Sequence, residues 1–557
     1  MDFRFSSLDF RFVVKSTIWL WLMVITVSCV STAQIENVPV NNQVYEFLDR
    51  MGVKGILPLY SNSMIPISRK EAAEFLLKID ERRNELNSVE IEFLEKFKQE
   101  FMHEIDPTKE NPAVLFGGSS LDDLISDKEK YLYDFRDSLV SFYMEFIGSF
   151  EHRQISGDSY GSAHSTFEEH GGRIRGTIKN RLGYYLQATN GTMFGNRAFA
   201  LSDPRLRGNV KFKDLNSPYF DFTEAYLRAD LDWFNLQFGR EYSLIGTGYS
   251  DRLLMSDHAP VIDFLKLDFQ YKSVRFVSIH GALVDSAASS SRIDNKYLAL
   301  HRIQFSLFDR LNIGVSEMII YRRSALDLAY LNPINFYKSS EHSLRDKDNA
   351  FLNFDLEFFP IHNYKFYGTW LIDDIDFKKM GSGWWGNEFG WQCGTYISGL
   401  AGQSNLDAVI EYTRIEPYVY SNRITGNEYS TNGISIGHHL EPNSDEWFIQ
   451  LRYYPCSQFR MWGTYAGVRH GENILTDGSI VNVGGDVLAG HRDGDAETAK
   501  FLDGNRVRND KIQLGVVYEP ITNFFISGIY EITQTKNYAA GGKNLDHYAS
   551  IKFNIEY

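Results

Sequence analysis

Residues 302–316, "RIQFSLFDRLNIGVS", decide how this chain is read. Ile303, Phe305 and Leu307 alternate with Arg302, Gln304 and Ser306. After Asp309-Arg310 the alternation resumes, with Leu311, Ile313 and Val315 set against Asn312, Gly314 and Ser316. A period of two with one apolar and one polar face is that of a β-strand, and two such runs around a tight turn make a hairpin.

The same pattern recurs around turns at Asn180-Arg181, 232–235, Lys272-Ser273, 359–363, 399–405, 455–458 and 519–523. Eight hairpins supply sixteen strands. With an unpaired strand at 139–150 before them and another at 548–557 after them, the total is eighteen. The connections between hairpins are longer, among them 151–172, 318–350, 371–388, 414–446, 467–510 and 531–547. Short turns on one side and long loops on the other are the pattern of an outer-membrane barrel, turns periplasmic and loops outside. The expected fold is therefore an all-β, antiparallel transmembrane barrel of about eighteen strands. A soluble sandwich or propeller does not explain why Arg302, Gln304, Asp355, Glu357 and Arg452 lie opposite faces that are almost purely apolar. A barrel does, with the apolar face on lipid and the polar face on a wet lumen. Glu317 is the exception, since strict alternation puts it on the apolar face, and a bulge or a position beyond the lipid band is expected there.

The final stretch, "YASIKFNIEY" (548–557), ends on an aromatic residue. It is expected to close the barrel, and its end resembles the signal by which barrel assembly machinery recognises such proteins. At the other terminus, Arg4, Arg11 and Lys15 precede an apolar run from Ile18 to Val30 and a small-residue site at Ser31-Thr32-Ala33. This reads as a secretory signal, residues 1–33, removed after Ala33. Residues 34–106 carry helical periodicity, with a capping box at Ser68–Glu71 and a second helix start at Asn87. They are expected to form a small periplasmic bundle, followed by a polar connector (107–138) and the barrel (139–557). Aromatic residues make up 15% of the chain, and Gly (43) far outnumbers Pro (14), a profile of long β-structure with many turns. A formal charge of −15 argues against nucleic acid as a partner. Cys393 and Cys456 alone remain after the leader and form neither a disulfide framework nor a metal cluster.

Several stretches resemble the Wzi family of capsule assembly proteins: 38–55, 301–323, "LDLAYLNPINFY" (326–337), 356–374, 411–422 and "ISIGHHLEPNSDEW" (434–447). The resemblance implies an eighteen-strand outer-membrane barrel with a periplasmic helical bundle. It also implies a lectin-like role in anchoring and organising capsular or extracellular polysaccharide at the cell surface. Enzyme and metal signals in the residues themselves are poor, so neither catalysis nor a cofactor is expected. The motif residues that the resemblance singles out are Tyr330, Asn332, Pro333, Asn335, Gly437, His438, Pro442, Asn443 and Asp445. This chain departs from the family's Gly-His-Pro-Leu-Gly-Pro at His439 and Glu441.

Read from the residues alone, glycan contact is expected from Trp384 and Trp385, flanked by glycines in an outer loop, and from Arg322 and Arg323, whose guanidinium forks suit acidic sugars. Those arginines equally suit the loops' own carboxylates, and the tryptophans suit loop packing or the membrane interface. Two other functions stand beside polysaccharide binding. One is a porin or substrate channel of the same architecture. The other is a hydrolase using Ser435, which sits in Gly433–Gly437 with the spacing of a nucleophile elbow but without a following helix. His438 and His439 are metal-ligand types, but adjacent histidines do not readily share one ion and the sequence offers no fixed third ligand, so no metal is expected.

Overall fold

The structure, a computed structural model, describes residues 34–106, 112–207, 217–285, 295–345, 347–476 and 478–557. The expected leader lies outside the described residues. Eighteen long strands form one closed antiparallel ring. They are β1 (Ser141–Gly157), β2 (Gly161–Ile178), β3 (Leu182–Gly195), β4 (Tyr219–Asp230), β5 (Asn235–Glu241), β6 (Ile262–Tyr271), β7 (Val274–Leu283), β8 (Asn295–Leu307) and β9 (Leu311–Arg323). The second half is β10 (Asn349–Ile361), β11 (Tyr364–Asp374), β12 (Glu388–Ile397), β13 (Leu406–Ile415), β14 (Ser444–Cys456), β15 (Phe459–Glu472), β16 (Asn505–Ile521), β17 (Phe524–Asn537) and β18 (Lys543–Glu556).

The ring closes where β18 pairs with β1, from Asp546 opposite Gly157 to Glu556 opposite Ile147. Tyr557 completes the seam by donating its N–H to the Phe146 carbonyl at 2.6 Å. Below that point the short strand Tyr133–Arg136 pairs with the start of β1 and prolongs the wall. Closure is what a membrane demands, because lipid offers no partner to an unpaired backbone group. Among the described residues no helix is long and apolar enough to cross a membrane.

All eight tight turns fall where the alternation places them, but two expected loops do not exist. Residues 151–172 and 531–547 are mostly strand: β1 and β2 meet at a turn over 158–160, β17 and β18 at one over 538–542. These strand ends carry Ser, Thr, His and Gln on both faces, so backbone pairing holds them without any apolar contrast to mark them in the sequence.

The lumen is filled where its wall is charged. Helices α1 (Val44–Val53), α2 (Arg69–Asp80) and α3 (Ser88–Glu100) pack on one another around Leu48, Met51, Leu76, Leu94 and Phe97. Ser68 caps α2, and Asn87 with Glu90 forms a capping box on α3. The bundle sits inside the turn end of the ring. Arg50 of α1 is the centre of the contact, with Nη1 2.8 Å from Glu90 Oε1 and Nε 2.9 Å from Asp407 Oδ2 on β13, all three nearly or wholly buried. Lys365 of β11 reaches Asp49 at 2.6 Å, and Arg452 and Arg460 of β14 and β15 both reach Glu46. On the opposite wall Glu36 pairs with Arg175 at 3.0 Å, and Asn37 donates to Glu241 at 2.7 Å.

The expectation of a wet lumen is corrected along β8 to β11. Arg302 is wholly buried and forks Asp355, with Nη2 to Oδ1 at 2.8 Å. Toward the loop end the inward face turns apolar. Leu298, Leu300, Met318, Ile320 and Phe351 pack against Leu253, Leu254, Tyr420, Tyr429 and Ile436, which descend from loop three (242–261) and loop seven (416–443). Outside, Trp370 of β11 stacks on Trp391 of β12 at 5.1 Å beside Phe354 and Phe389, an apolar aromatic surface suited to lipid.

Two tests follow from the charged contact. Arg50→Ala leaves Asp407 buried without its cation, while Glu90 keeps Lys54 at 2.6 Å; the loss costs about 3–5 kcal/mol. Arg83→Ala, which breaks exposed pairs with Asp80 and Glu95, costs far less, because water screens both pairs. Denaturant unfolding in detergent, followed by the heat-modifiable gel shift, reads both. Glu46 gives a pH signature. Burial raises its pKa, but Arg460 and Arg452 outweigh burial and bring it from 4.5 down to about 2. The stability it contributes is complete above pH 4.5 and is lost as pH falls toward 2. Glu46→Gln should be less stable than wild type at pH 7 and should flatten the stability curve between those limits.

Candidate functional site

At the loop end of the ring lies a cleft of about 1010 Å³, open to water, between loops five (324–348), six (375–387), seven and eight (473–504) over the ends of β10 to β12. Loop five does not project. It folds back against the outer face of β8 and β9, where Tyr330 and Tyr337 pack on Ala299, Ile319 and Tyr321. Asn332 starts a turn in it, with its side chain accepting from Ile334 N and its carbonyl from Asn335 N. Asn335 then donates to the Ala329 carbonyl at 2.8 Å and to Ser340 at 2.6 Å.

This fold-back explains Glu317. There is no bulge, since the pairing of β8 with β9 runs without a shift from Asn295 opposite Arg323 to Leu307 opposite Leu311. Glu317 points outward, as alternation requires, and accepts the N–H groups of Tyr337 and Lys338 at 2.7 Å each, with His301 Nε2 at 3.3 Å. The loop brings its own donors to an outward carboxylate.

Arg322 and Arg323 do not act together, because successive residues of a strand point to opposite faces. Arg323 lies on the outer face and forks Asp348, Nη1 to Oδ1 at 2.9 Å and Nη2 to Oδ2 at 2.8 Å, while Tyr330 also donates to Asp348 at 2.8 Å. Arg322 turns inward to the Thr425 carbonyl at 3.0 Å and Asp285 at 3.2 Å. Both brace loops by pairing with the protein's own carboxylates.

Trp385 does line the cleft. Its ring stacks on His491 of loop eight at 3.8 Å with 6° between planes, and Tyr418 meets it edge-on at 5.7 Å. Trp384 lies alongside, its face covered by the Lys379 ammonium at 3.8 Å, and it bridges to Thr498. Phe336 and Phe377, 58% and 80% exposed, supply two further faces on the cleft wall. Between them the floor offers Asp373, Asp374 and Glu388, and the mouth Arg423 and Arg492. Asp373 accepts the Tyr420 N–H at 2.6 Å. Arg492 is partly held by Asp495 at 2.9 Å. Exposed aromatic faces beside hydrogen-bonding groups, in a wet concavity, are what a sugar chain requires: ring faces stack and hydroxyls find donors and acceptors. The sequence missed Phe336, Phe377, Arg423, His491 and Arg492, because loop residues carry no period and only the fold gathers them.

The remaining motif residues lie elsewhere. Gly437, His438 and Pro442 belong to loop seven inside the ring, with His438 fully buried. Asn443 Nδ2 ties the Gly471 and Asp503 carbonyls at 2.8 and 3.1 Å, and Asp445 forks Arg469 on the outer face. Ser435 is buried, and its hydroxyl accepts the Gly437 N–H at 3.2 Å. It sits in a two-residue strand with no helix after it, so the elbow's geometry is missing.

A family model described as capsule assembly protein Wzi matches residues 144–478, more than half of the chain. No curated protein sequence matches. Among solved structures, the chain is similar to Wzi of Escherichia coli, described as an outer-membrane protein involved in group 1 capsule assembly and a carbohydrate-binding β-barrel. Identity is 13%, coverage 93% of this chain and 99% of that one, and the TM-score 0.56. It is also similar to OccK5 (OpdH) of Pseudomonas aeruginosa, at 10% identity, coverage of 74% and 98%, and a TM-score of 0.41. OccAB2 of Acinetobacter baumannii shows 9% identity, coverage of 74% and 98%, and a TM-score of 0.44. With its eighteen-strand closed ring and a family match across most of the barrel, this chain belongs to the Wzi family of outer-membrane capsule assembly proteins.

Proposed function

We propose that the protein binds and organises capsular or related extracellular polysaccharide at the cell surface without catalysis, and that the loop-end cleft holds the polymer. The loop end faces the outside, and the turn end with its helices faces the periplasm. Outer-membrane lipid surrounds the apolar wall, and the last strand, ending on Tyr557, is what the assembly machinery engages. The observation that carries this reading is the cleft itself: Trp385, Phe336 and Phe377 present ring faces around a floor of carboxyls and a mouth of guanidinium groups. The carbohydrate-binding description of the Escherichia coli relative and the family's place in capsule assembly support it. The buried, hydrogen-bonded Ser435 favours binding over hydrolysis.

Each aromatic face contributes about 1 kcal/mol in a wet site. Single Ala replacements of Phe336, Phe377 or Trp385 should therefore weaken retention of surface polysaccharide by about fivefold each. The triple variant should release polymer into the medium while still migrating as a folded, heat-modifiable barrel. Cell-bound polysaccharide is the measurement, in a strain where deleting the gene releases it. A triple variant that retains wild-type amounts removes the cleft from the account.

A channel would behave differently. The bundle and loops three and seven fill much of the lumen, so planar bilayers should show little conductance from intact protein. Large, steady single-channel currents would favour a porin.

A further inference from the structure

Beneath the loop end and apart from the cleft, five titratable side chains from three segments converge. Asp251 and His258 come from loop three, His438 and His439 from loop seven, and Glu446 from β14. Asp251 Oδ2 lies 2.8 Å from His258 Nδ1 and 3.3 Å from His439 Nδ1, and it accepts the His439 backbone N–H at 3.0 Å. His439 Nε2 lies 3.4 Å from Glu446 Oε1. Donor atoms of Asp251, His438 and His439 all lie within 4.8 Å of one another.

Two buried polar atoms stand beside these ligand atoms. His258 Nδ1 is buried and close to the Asp251 carboxylate, yet it makes no hydrogen bond. Glu446, with a side chain only 4% exposed, has an Oε2 without a hydrogen-bond partner. The donor that meets this carboxylate is His439 Nε2, at Oε1.

We propose that Asp251, His438 and His439 hold one divalent ion of the zinc class, with Glu446 on the far nitrogen of His439, where it accepts the Nε2 proton and orients the ring. Imidazole nitrogen and carboxylate oxygen at about 2.0–2.2 Å from the ion are the donors such a metal takes. Tetrahedral donors at that distance stand about 3.3–3.6 Å apart, which the His439–Asp251 separation of 3.3 Å already meets. His438 needs a small rotation. Its ring is held by weak contacts, 3.2 Å to the Leu440 N–H and 3.3 Å to Ser250 Oγ. Adjacent histidines lacked a third ligand in the sequence because Asp251 lies 188 residues before His439. The ion fastens loop three to loop seven, and His439 passes the tie to the wall through Glu446, so it braces the plug on which the rim is built.

The test uses full-length protein purified from outer membranes without a polyhistidine tag. Elemental analysis should find about one zinc per chain. After a chelator wash, Co²⁺ should give the visible bands of a tetrahedral site, and Zn²⁺ should erase them. The His439 side chain is 41% exposed, so His439→Ala should fold and remain heat-modifiable; with Asp251→Asn it should lose the cobalt bands and bind zinc about 100-fold more weakly or worse. Chelator should lower the melting temperature of the wild type and leave that of His439→Ala unchanged. Metal-free protein without cobalt bands, or bands that survive both substitutions, would overturn the proposal. The cluster would then be an ion-pair network in which His439 joins Asp251 to Glu446.

Discussion

The seam between β18 and β1 is the constraint on which the rest depends. In hydrocarbon every backbone N–H and C=O must find a partner within the protein, and a sheet does this only by closing on itself. The terminal Tyr557 lies on that seam. Once the ring is shut, its interior is a bounded space, and any side chain directed into it meets water, another part of the chain, or nothing. The structure uses the first two differently at its two ends.

At the turn end the inward residues are charged, and the N-terminal segment supplies countercharges one by one: Asp49 for Lys365, Glu46 for Arg452 and Arg460, Arg50 for Asp407. Buried ion pairs gain little over apolar packing, but removing one partner is costly. They specify how the helices sit in the ring more than they strengthen it. At the loop end the same strands turn leucines and isoleucines inward, and loops three and seven bury them. One wall thus changes its inner chemistry along its length, each half matched to a different filler.

That change explains what was legible in the sequence and what was not. Around 302–316 one face is polar and the other apolar, so strand, turn and register could be read directly. At Leu298–Leu300 and Met318–Ile320 both faces are apolar, since one meets the inner plug and the other meets loop five or lipid, and the contrast disappears. In β1, β2, β17 and β18 both faces of the outer ends are polar, so strands were read as loops. The period of two reports a difference between environments, not the strand itself. Glu317 broke the pattern because a loop folded back to bring two N–H groups to it.

The candidate cleft was the least legible part for a related reason. Its residues are gathered by loops whose ends are fixed by the barrel and whose paths are fixed by contacts distant in sequence. Trp385 was visible as an aromatic among glycines, but His491, which stacks on it, lies 106 positions later in another loop. Arg322 and Arg323 looked like a forked pair because the sequence sets them side by side, yet the strand that carries them sends one inward and one outward. Adjacency in a strand separates side chains, and ring closure brings distant loops together. In a barrel, functional residues are therefore better sought among loop positions that share a rim than among neighbours on one strand.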